Sequence, residues 1–474
     1  MSEKETLLTQ EVQRVVNNFK NKVMQDPYRL KFHLMPPVGL MNDPNGLIQY
    51  EGVYHVFYQW NPFDTTHGSK FWGHYTSTDM VTWREEPVAL LPSESYEKNG
   101  CYSGSAIEVE GKLYLFYTGN VKLEDDSRET YQCLAVSSDG IHFEKKGPIL
   151  TLPKGYTPHF RDPKVWKKED RWYMVLGAQT YEEKGTVVLF TSDNLYDWQE
   201  VGQIAGSGMH GLKEFGYMWE CPDLINLNGT DVLLVSPQGV KSCGHLYQNV
   251  FQSGYFVGKL DYEKGNFSHG PFTELDRGFD FYAPQTFETS SGRTILFAWM
   301  GITDEMEEHQ PTISNHWVHA LTIPRNLSLR EGKIYQNPVE ELKKLRKNQV
   351  VITNEEKALL NGLEISTSEL LLELQNENSY FNISFRNEAS LCFDPSKQEI
   401  SLQRRNIKTN AIESRTCKIK SVRELQILLD HSSIEIFINN GEEVFTARYF
   451  PELRDKTLTI QCDTDYRLHY WDLE

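Results

Sequence analysis

Short apolar runs recur along the first two thirds of the chain at near-constant spacing. They read YHVFYQ (54–59), LYLFYTG (113–119), WYMVLGAQ (172–179), DVLLVSPQG (231–239) and TILFAWM (294–300), with starts roughly 59 to 63 residues apart. Each predicts a strand. Several are followed by a serine/threonine-aspartate turn ending in an aromatic: STDMVTW (77–83), SSDGIHF (137–143) and TSDNLYDW (191–198). Serine and aspartate side chains bond the nearby backbone in such turns, so one piece of turn chemistry is used three times. A period of this length with several strands per unit is the mark of a propeller blade. Five recurrences predict a five-bladed β-propeller over 30–340; a sandwich with evenly spaced hairpins is the alternative.

The pattern differs at both ends. Residues 1–29 form an N-terminal extension in which Val12, Val15, Val16 and Phe19 recur at helical spacing. The charged segment EELKKLRK (340–347) predicts a linker or short helix. Beyond it, YFNISF (380–385), LQILLD (425–430), IEIFIN (434–439) and LTIQC (458–462) alternate as half-buried antiparallel strands, and Asn439-Asn440-Gly441 predicts a hairpin turn. Residues 350–474 are thus expected to form a β-sandwich. The fold class is all-β, in keeping with a length of 474 residues that calls for two domains.

Composition narrows the chemistry. Aromatics reach 12%, which suits strand packing and also the stacking of flat rings on sugar faces. Lysine plus arginine is 48 against 66 aspartate plus glutamate, a net charge of −18 that disfavours nucleic acid and anionic lipid as partners. A small or neutral substrate is expected. The first residues contain no apolar run of signal-peptide length and no stretch is long enough to span a membrane. The seven cysteines are odd in number and lack CxxC spacing, which argues against a disulfide scaffold or structural zinc. The expectation is a cytoplasmic protein without metal or cofactor.

Three acidic residues stand in unusual surroundings. Asp43 lies in LMNDPNGL (40–47), where five turn formers sit between apolar flanks; a surface turn and an aspartate aimed into a funnel are both open readings. Asp162 lies in HFRDPKVW (159–166) beside Arg161, which keeps a carboxylate ionised; a surface ion pair reads equally. Glu220 lies in GYMWECPDLI (216–225) among large apolar neighbours that would raise its pKa as a general acid needs, unless it alternates to solvent. Asp223 is a rival on the same strand. Glycoside cleavage asks for such a set, one carboxylate ionised and one protonated. No HExxH, GxSxG, GxGxxG or P-loop offers a competing chemistry.

The three blocks Asn42-Asp43-Pro44-Asn45-Gly46, Arg161-Asp162-Pro163 and Glu220-Cys221, in this order, resemble those of glycoside hydrolase family 32, the invertase and fructanase group. The resemblance runs from about His33 to the C-terminus. It implies a propeller followed by a sandwich, and catalysis by Asp43 as nucleophile at C2 of a β-fructofuranosyl unit, Glu220 as acid/base and Asp162 as the acid holding the 3- and 4-hydroxyls. It also implies a substrate pocket drawn from Leu40, Met41, Asn42, Gln59, His67, Trp72, Tyr102, Ser103, Arg161, Asp280 and Trp299. Leu40 stands where the family's first block often has tryptophan, a change at the pocket rim.

Within the family, HLMPPVGLMNDPNG (33–46), HGSKFWGHYTS (67–77), RETYQCLAVS (128–137) and FGYMWECPDL (215–224) are most similar to the bacterial intracellular members acting on sucrose 6-phosphate. A small sugar is then the partner, sucrose 6-phosphate or sucrose, and His67, Lys70, Lys241 and His245 are candidate phosphate cations. A fructan exo-hydrolase, a fructosyltransferase and a fructose-binding lectin are the rival readings. The sequence gives no oligomeric state.

Overall fold

The structure, a computed structural model, describes residues 2–474, apart from the side chains at 357 and 361. A 22-residue helix, Glu3–Met24, opens it. Ser2 and Glu5 cap each other's backbone N–H, which satisfies two donors that the first turn would leave bare. Val12, Val16 and Val23 are buried against the body of the protein, with Val15 and Phe19 partly so. The helix is shorter than the segment assigned to it from sequence and ends two residues before Asp26, whose carboxylate is held by Asn315 and Trp317.

Residues 39–338 then build five antiparallel sheets. The first consists of Gly39–Tyr50, Val53–Asn61, Phe71–Ser77 and Arg84–Glu85, with Trp317–Val318 added in parallel to its first strand. The second is Cys101–Val109, Lys112–Lys122, Arg128–Ser137 and Glu144–Thr151, and the third is Tyr156–Lys168, Arg171–Thr180, Gly185–Ser192 and Gln199–Gly206. The fourth is Met218–Leu227, Thr230–Gln238, Gly254–Asp261 and Asn266–His269, with Thr273–Glu274 also paired to Gly254–Asp261, and the fifth Tyr282–Glu288, Thr294–Trp299, Arg325–Arg330 and Lys333–Pro338. The five apolar runs are the second strands of these sheets. Each is flanked by a neighbour on both edges and covered on both faces, and so carries little polarity. The first strand of each sheet packs against the first strand of the next, and that of the fifth packs back against Gly39–Tyr50.

The repeated turns take the form expected. Asp79 Oδ1 accepts from the N–H of Val81 and Thr82, and Asp139 Oδ1 from Ile141 and His142. In the third copy Asn194, not Asp193, plays this part toward Tyr196 and Asp197.

The five first strands share an irregularity. Asn42 and Asp43 stand opposite Gln59, Ser103 is an extra residue, and Asp162-Pro163, Cys221-Pro222 and Ala283-Pro284 each oppose a single partner residue. These are β-bulges, and proline sits in three of them because it has no N–H to give the ladder. The residue before proline in those three is left-handed, with φ of 67° at Asp162, 47° at Cys221 and 49° at Ala283. A non-glycine residue in that region costs on the order of 1 kcal/mol or more. The bulge turns the side chain that would lie in the sheet face toward the space ringed by the first strands.

A short 3-10 turn, Glu340–Leu345, leads to two further sheets. One has six strands (Arg346–Thr353, Ser368–Leu374, Glu424–Asp430, Ser433–Ile438, Glu443–Arg448 and Tyr466–Leu473). The other has five (Phe381–Phe385, Ala389–Asp394, Glu399–Arg405, Ile412–Lys418 and Leu458–Cys462). They share one apolar core that includes Leu370, Phe381, Leu391, Ile427 and Ile436.

The two parts of the chain are joined by buried charge. Arg325 is fully buried and donates to Asp276 (3.1 Å), Glu435 (2.6 Å) and Thr446 (2.6 Å). His33 bonds Asp430 at 2.8 Å and Glu435 at 2.9 Å. Burial pulls the His33 imidazole down, but the two carboxylates outweigh it and lift its pKa to about 9. A group raised in the folded state stabilises fully below its unfolded value and loses that contribution as pH rises through the folded one. Stability should therefore decline from about pH 6.5 to about pH 9, by on the order of 2 kcal/mol. In thermal melts, His33→Gln should lower the midpoint at pH 6.5 and converge with the native chain near pH 9; a constant offset across that range would rule the charge out as the cause.

Candidate active site

The bulges of the first strands converge on a cleft of about 400 Å³. Asp43, Asp162 and Glu220 line it together, from three different sheets. Asp43 is fixed at both oxygens: Ser103 Oγ donates to Oδ2 at 2.6 Å and Asn42 Nδ2 to Oδ1 at 3.1 Å. Gln59 completes the set, donating to Ser103 Oγ at 2.6 Å and accepting from Asn42 at 3.2 Å. Burial pushes the Asp43 carboxyl above the usual aspartate range and the charge of Glu220 adds to this, while the bonds from Ser103 and Asn42 oppose it.

Asp162 lies beside Asp43, and the Cys221 thiol sits between them, 3.6 Å from Asp162 Oδ2 and 3.7 Å from Asp43 Oδ2. Cys221 N–H donates to Asp162 Oδ2 at 2.9 Å, a bond that the left-handed turn at Cys221 makes available. Burial raises the Asp162 carboxyl to about 7 against the pull of Arg161, with Glu220 and Asp43 pushing further up.

Glu220 is held differently from the expectation. Trp219 turns into the core, fully buried, and its indole donates to Phe215 O at 2.7 Å. The Glu220 carboxylate instead meets polar partners. Arg161 donates to Oε1 from Nε (3.0 Å) and a terminal nitrogen (2.6 Å), while Tyr282 OH (2.6 Å) and Gln238 Nε2 (2.8 Å) donate to Oε2. Strand alternation separates the acid from the apolar neighbours that the sequence set beside it. Asp223 is not in the cleft; it is buried beneath, bonded to Thr286 and paired with Lys164 at 3.1 Å.

The other expected residues divide into two groups. Asn42, Gln59, His67, Tyr102, Arg161 and Trp299 line the cleft, as does the candidate cation Lys70. His67 bonds Glu307 at 2.9 Å, Glu307 bonds His319 at 2.7 Å, and Lys70 Nζ lies 3.1 Å from His67 Nδ1. Lys70 is buried, which brings its ammonium down to about 7 although Asp43 and Glu307 support the charge.

Ser103 and Trp72 stand behind the lining: Ser103 acts through Asp43, and Trp72 is buried with its indole on Tyr102 O at 3.0 Å. Leu40 and Met41 are wholly buried below the cleft and not at a rim. Asp280 is a correction. It pairs with Arg404 and accepts from Arg448 N–H at 2.8 Å, so it ties the first part of the chain to the second. The residue of that segment that does reach the cleft is Tyr282, on the same strand. Lys241 and His245 are likewise elsewhere: Lys241 is exposed outside the lining, and His245 pairs with Glu399 at 2.9 Å.

The sequence reading missed Gln238, Tyr282, Lys122 and Arg128, all of which line the cleft. Gln238 stands at the end of the run DVLLVSPQG and Tyr282 at the start of the first strand of the fifth sheet; strand pairing and the packing of neighbouring sheets, not a motif, bring them to Glu220. Among the described residues, no group of three or more His, Cys, Asp and Glu is placed to hold a metal. Among the described residues no two of the seven cysteines form a disulfide. No described helix is long and apolar enough to cross a membrane. Carboxylates converging on a narrow polar cleft, one held by hydroxyl and amide donors and another by a guanidinium, are equipped for acid/base-assisted displacement at an acetal carbon.

Comparison with known proteins agrees with this chemistry. The model for the glycosyl hydrolases family 32 N-terminal domain matches residues 33–338, and that for the glycosyl hydrolases family 32 C terminal matches 341–471. The chain is 56% identical to a sucrose-6-phosphate hydrolase of Bacillus subtilis over 429 residues, 90% of each chain. It is 43% identical to one of Salmonella typhimurium, covering 95% of each. Among solved structures it is similar to the sucrose-6-phosphate hydrolase of Lactobacillus gasseri (TM-score 0.88, 30% identity, 98% and 96% of the two chains). It is also similar to a Bombyx mori β-fructofuranosidase variant in complex with sucrose (TM-score 0.85, 31% identity, 99% and 98%).

Proposed function

The chain belongs to family 32 of the glycosyl hydrolases, and from that membership we propose that it is a retaining β-fructofuranosidase whose substrate is sucrose 6-phosphate. The observation that carries this reading is the convergence of Asp43, Asp162 and Glu220, from three sheets, on one cleft. The names of the B. subtilis and L. gasseri relatives supply the substrate. The five sheets are read as five blades of a propeller, supported by the closed ring of their first strands, with 30–340 as the catalytic domain and 350–474 as a sandwich.

Asp43 is the nucleophile. It attacks C2 of the fructofuranosyl unit while Glu220 protonates the glycosidic oxygen, glucose 6-phosphate leaves, and a covalent fructosyl–enzyme forms. Glu220 then takes a proton from water, which releases fructose with its configuration retained. In the free cleft both oxygens of Glu220 accept hydrogen bonds, from Arg161 at one and from Gln238 and Tyr282 at the other, which fix the carboxyl in place. Asp162 holds the fructose hydroxyls. Purified protein should release fructose and glucose 6-phosphate from sucrose 6-phosphate with a higher kcat/KM than it shows for sucrose; absence of release from either substrate would overturn the reading.

The acid limb of the pH–rate profile tests Asp43. Because burial raises its carboxyl, that limb should lie above the ordinary aspartate range. Ser103→Ala removes a hydrogen bond that favours the ionised form, so the limb should move further up, and kcat/KM on its acid side should fall by roughly tenfold. A limb that stays in place would show that Asp43 is not the group titrating.

A further inference from the structure

Five basic side chains line the cleft: His67, Lys70, Lys122, Arg128 and Arg161. Three are engaged within the protein. Arg161 is spent on Glu220, and His67 and Lys70 are bonded to each other and, through His67, to Glu307. Lys122 and Arg128 are not; neither side chain has a hydrogen-bond or ion-pair partner among the described residues.

Their placement is unusual for two such groups. Lys122 ends the strand Lys112–Lys122, Arg128 begins Arg128–Ser137, and the two are directly paired across the ladder. Like charges opposite each other on neighbouring strands destabilise a hairpin. The connecting loop carries Glu124, Asp125 and Asp126, yet Asp125 is turned to Ser127 N and Oγ. Asn99, also in the cleft lining, accepts from Lys122 N–H at 2.7 Å and fixes the strand end. In a chain of net charge −18, a held and uncompensated cationic pair facing a cleft calls for an anion.

The pair also lies near the group that holds Glu220. Arg128 is close enough to His159 to help depress its imidazole, after burial and Arg161, and His159 Nδ1 lies 3.0 Å from Arg161, which grips Glu220. Glu220 protonates the leaving oxygen, so the glucosyl unit extends past this group.

We propose that Lys122 and Arg128 together form the phosphate-recognition element, gripping the 6-phosphate of the departing glucosyl unit. The proposal rests on the reading of the cleft as a sucrose-6-phosphate hydrolase. A dianionic phosphate offers the several acceptor oxygens that a guanidinium fork and an ammonium satisfy together. It also removes the repulsion across the hairpin, so binding and local order reinforce each other.

The test is the ratio of kcat/KM for sucrose 6-phosphate to that for sucrose, in the native chain and in Lys122→Ala, Arg128→Ala and the double variant. Each single variant should lower the ratio by about tenfold, the value of one charged hydrogen bond, and the double variant further. Arg128→Lys should retain part of the preference. Competitive inhibition by glucose 6-phosphate should weaken in parallel with the ratio. A native ratio near one would sink the substrate reading itself, before any variant is made. A large native ratio left unchanged in both single variants would overturn the phosphate element and leave the substrate reading standing. If a variant does not fold, Arg128→Gln, checked by thermal melting, reads the same ratio.

Discussion

Asp43→Asn should fold as the native chain does and turn over sucrose 6-phosphate slower by roughly 10⁴-fold or more, the scale of losing a group that acts as a unit with its partners. The amide is nearly isosteric, and its oxygen can still accept from Ser103 Oγ, so the bulge and the cleft wall keep their shape. What is lost is the nucleophilic oxygen and the negative charge that meets the developing cation at C2. Steady-state rates with both sugars, alongside a circular dichroism spectrum and a thermal melt, check the outcome. Residual activity within tenfold of the native chain would remove Asp43 from the mechanism. A variant that is inactive because it is unfolded would show in the melt.

The second large effect has two opposed parts. Asp162→Asn should lower kcat/KM on the order of 10³-fold, because a charged group that grips the sugar and faces the developing cation becomes a neutral one. The same change should stabilise the fold. Burial raises the Asp162 carboxyl to about 7, so in the native chain ionisation favours the unfolded state. The penalty is absent where both states are protonated, near pH 4 and below. It grows as pH rises toward 7 and is constant above. The variant should therefore melt higher than the native chain at pH 8, by roughly 1–3 kcal/mol in stability, and coincide with it near pH 4. Asparagine tolerates the left-handed backbone at this position, and its amide oxygen can still accept Cys221 N–H. Lower stability at pH 8 would show that the site does not hold this strain.

The sequence carried the sheet repeat because the second strands are covered on both faces, and full burial writes itself as an unbroken apolar run. It carried Asp43 and Asp162 through the prolines beside them, though for a reason that looked like turn chemistry, and Glu220 through its apolar neighbours. Asn42-Asp43-Pro44 and Asp162-Pro163 have the composition of turns but lie within strands, and only the pairing with Gln59 and Leu176 identifies them as bulges. What the sequence could not carry depends on partners far along the chain. Asp280 stands two residues from Tyr282, which does reach the cleft, but Arg404, 124 residues away, draws it into the junction between the two parts. Lys122 and Arg128 look like ordinary surface charges until the hairpin sets them face to face. Trp219 and Glu220 are adjacent in sequence but face apart, so the apolar company of Glu220 in the text is not its company in space.

The bulges bear on how this chain can change its length. Every residue beyond a bulge keeps its side of the sheet only because an extra residue has been inserted there. Deleting Pro163 or Pro222 would restore an unbroken ladder and swing the carboxylate-bearing segment to the opposite face, taking the reactive group out of the cleft without altering its identity. Loops such as 123–127 can grow or shrink without disturbing any register. The places least able to absorb a single-residue insertion or deletion are thus the short proline-bearing stretches that, read as text, look like the most pliable in the protein.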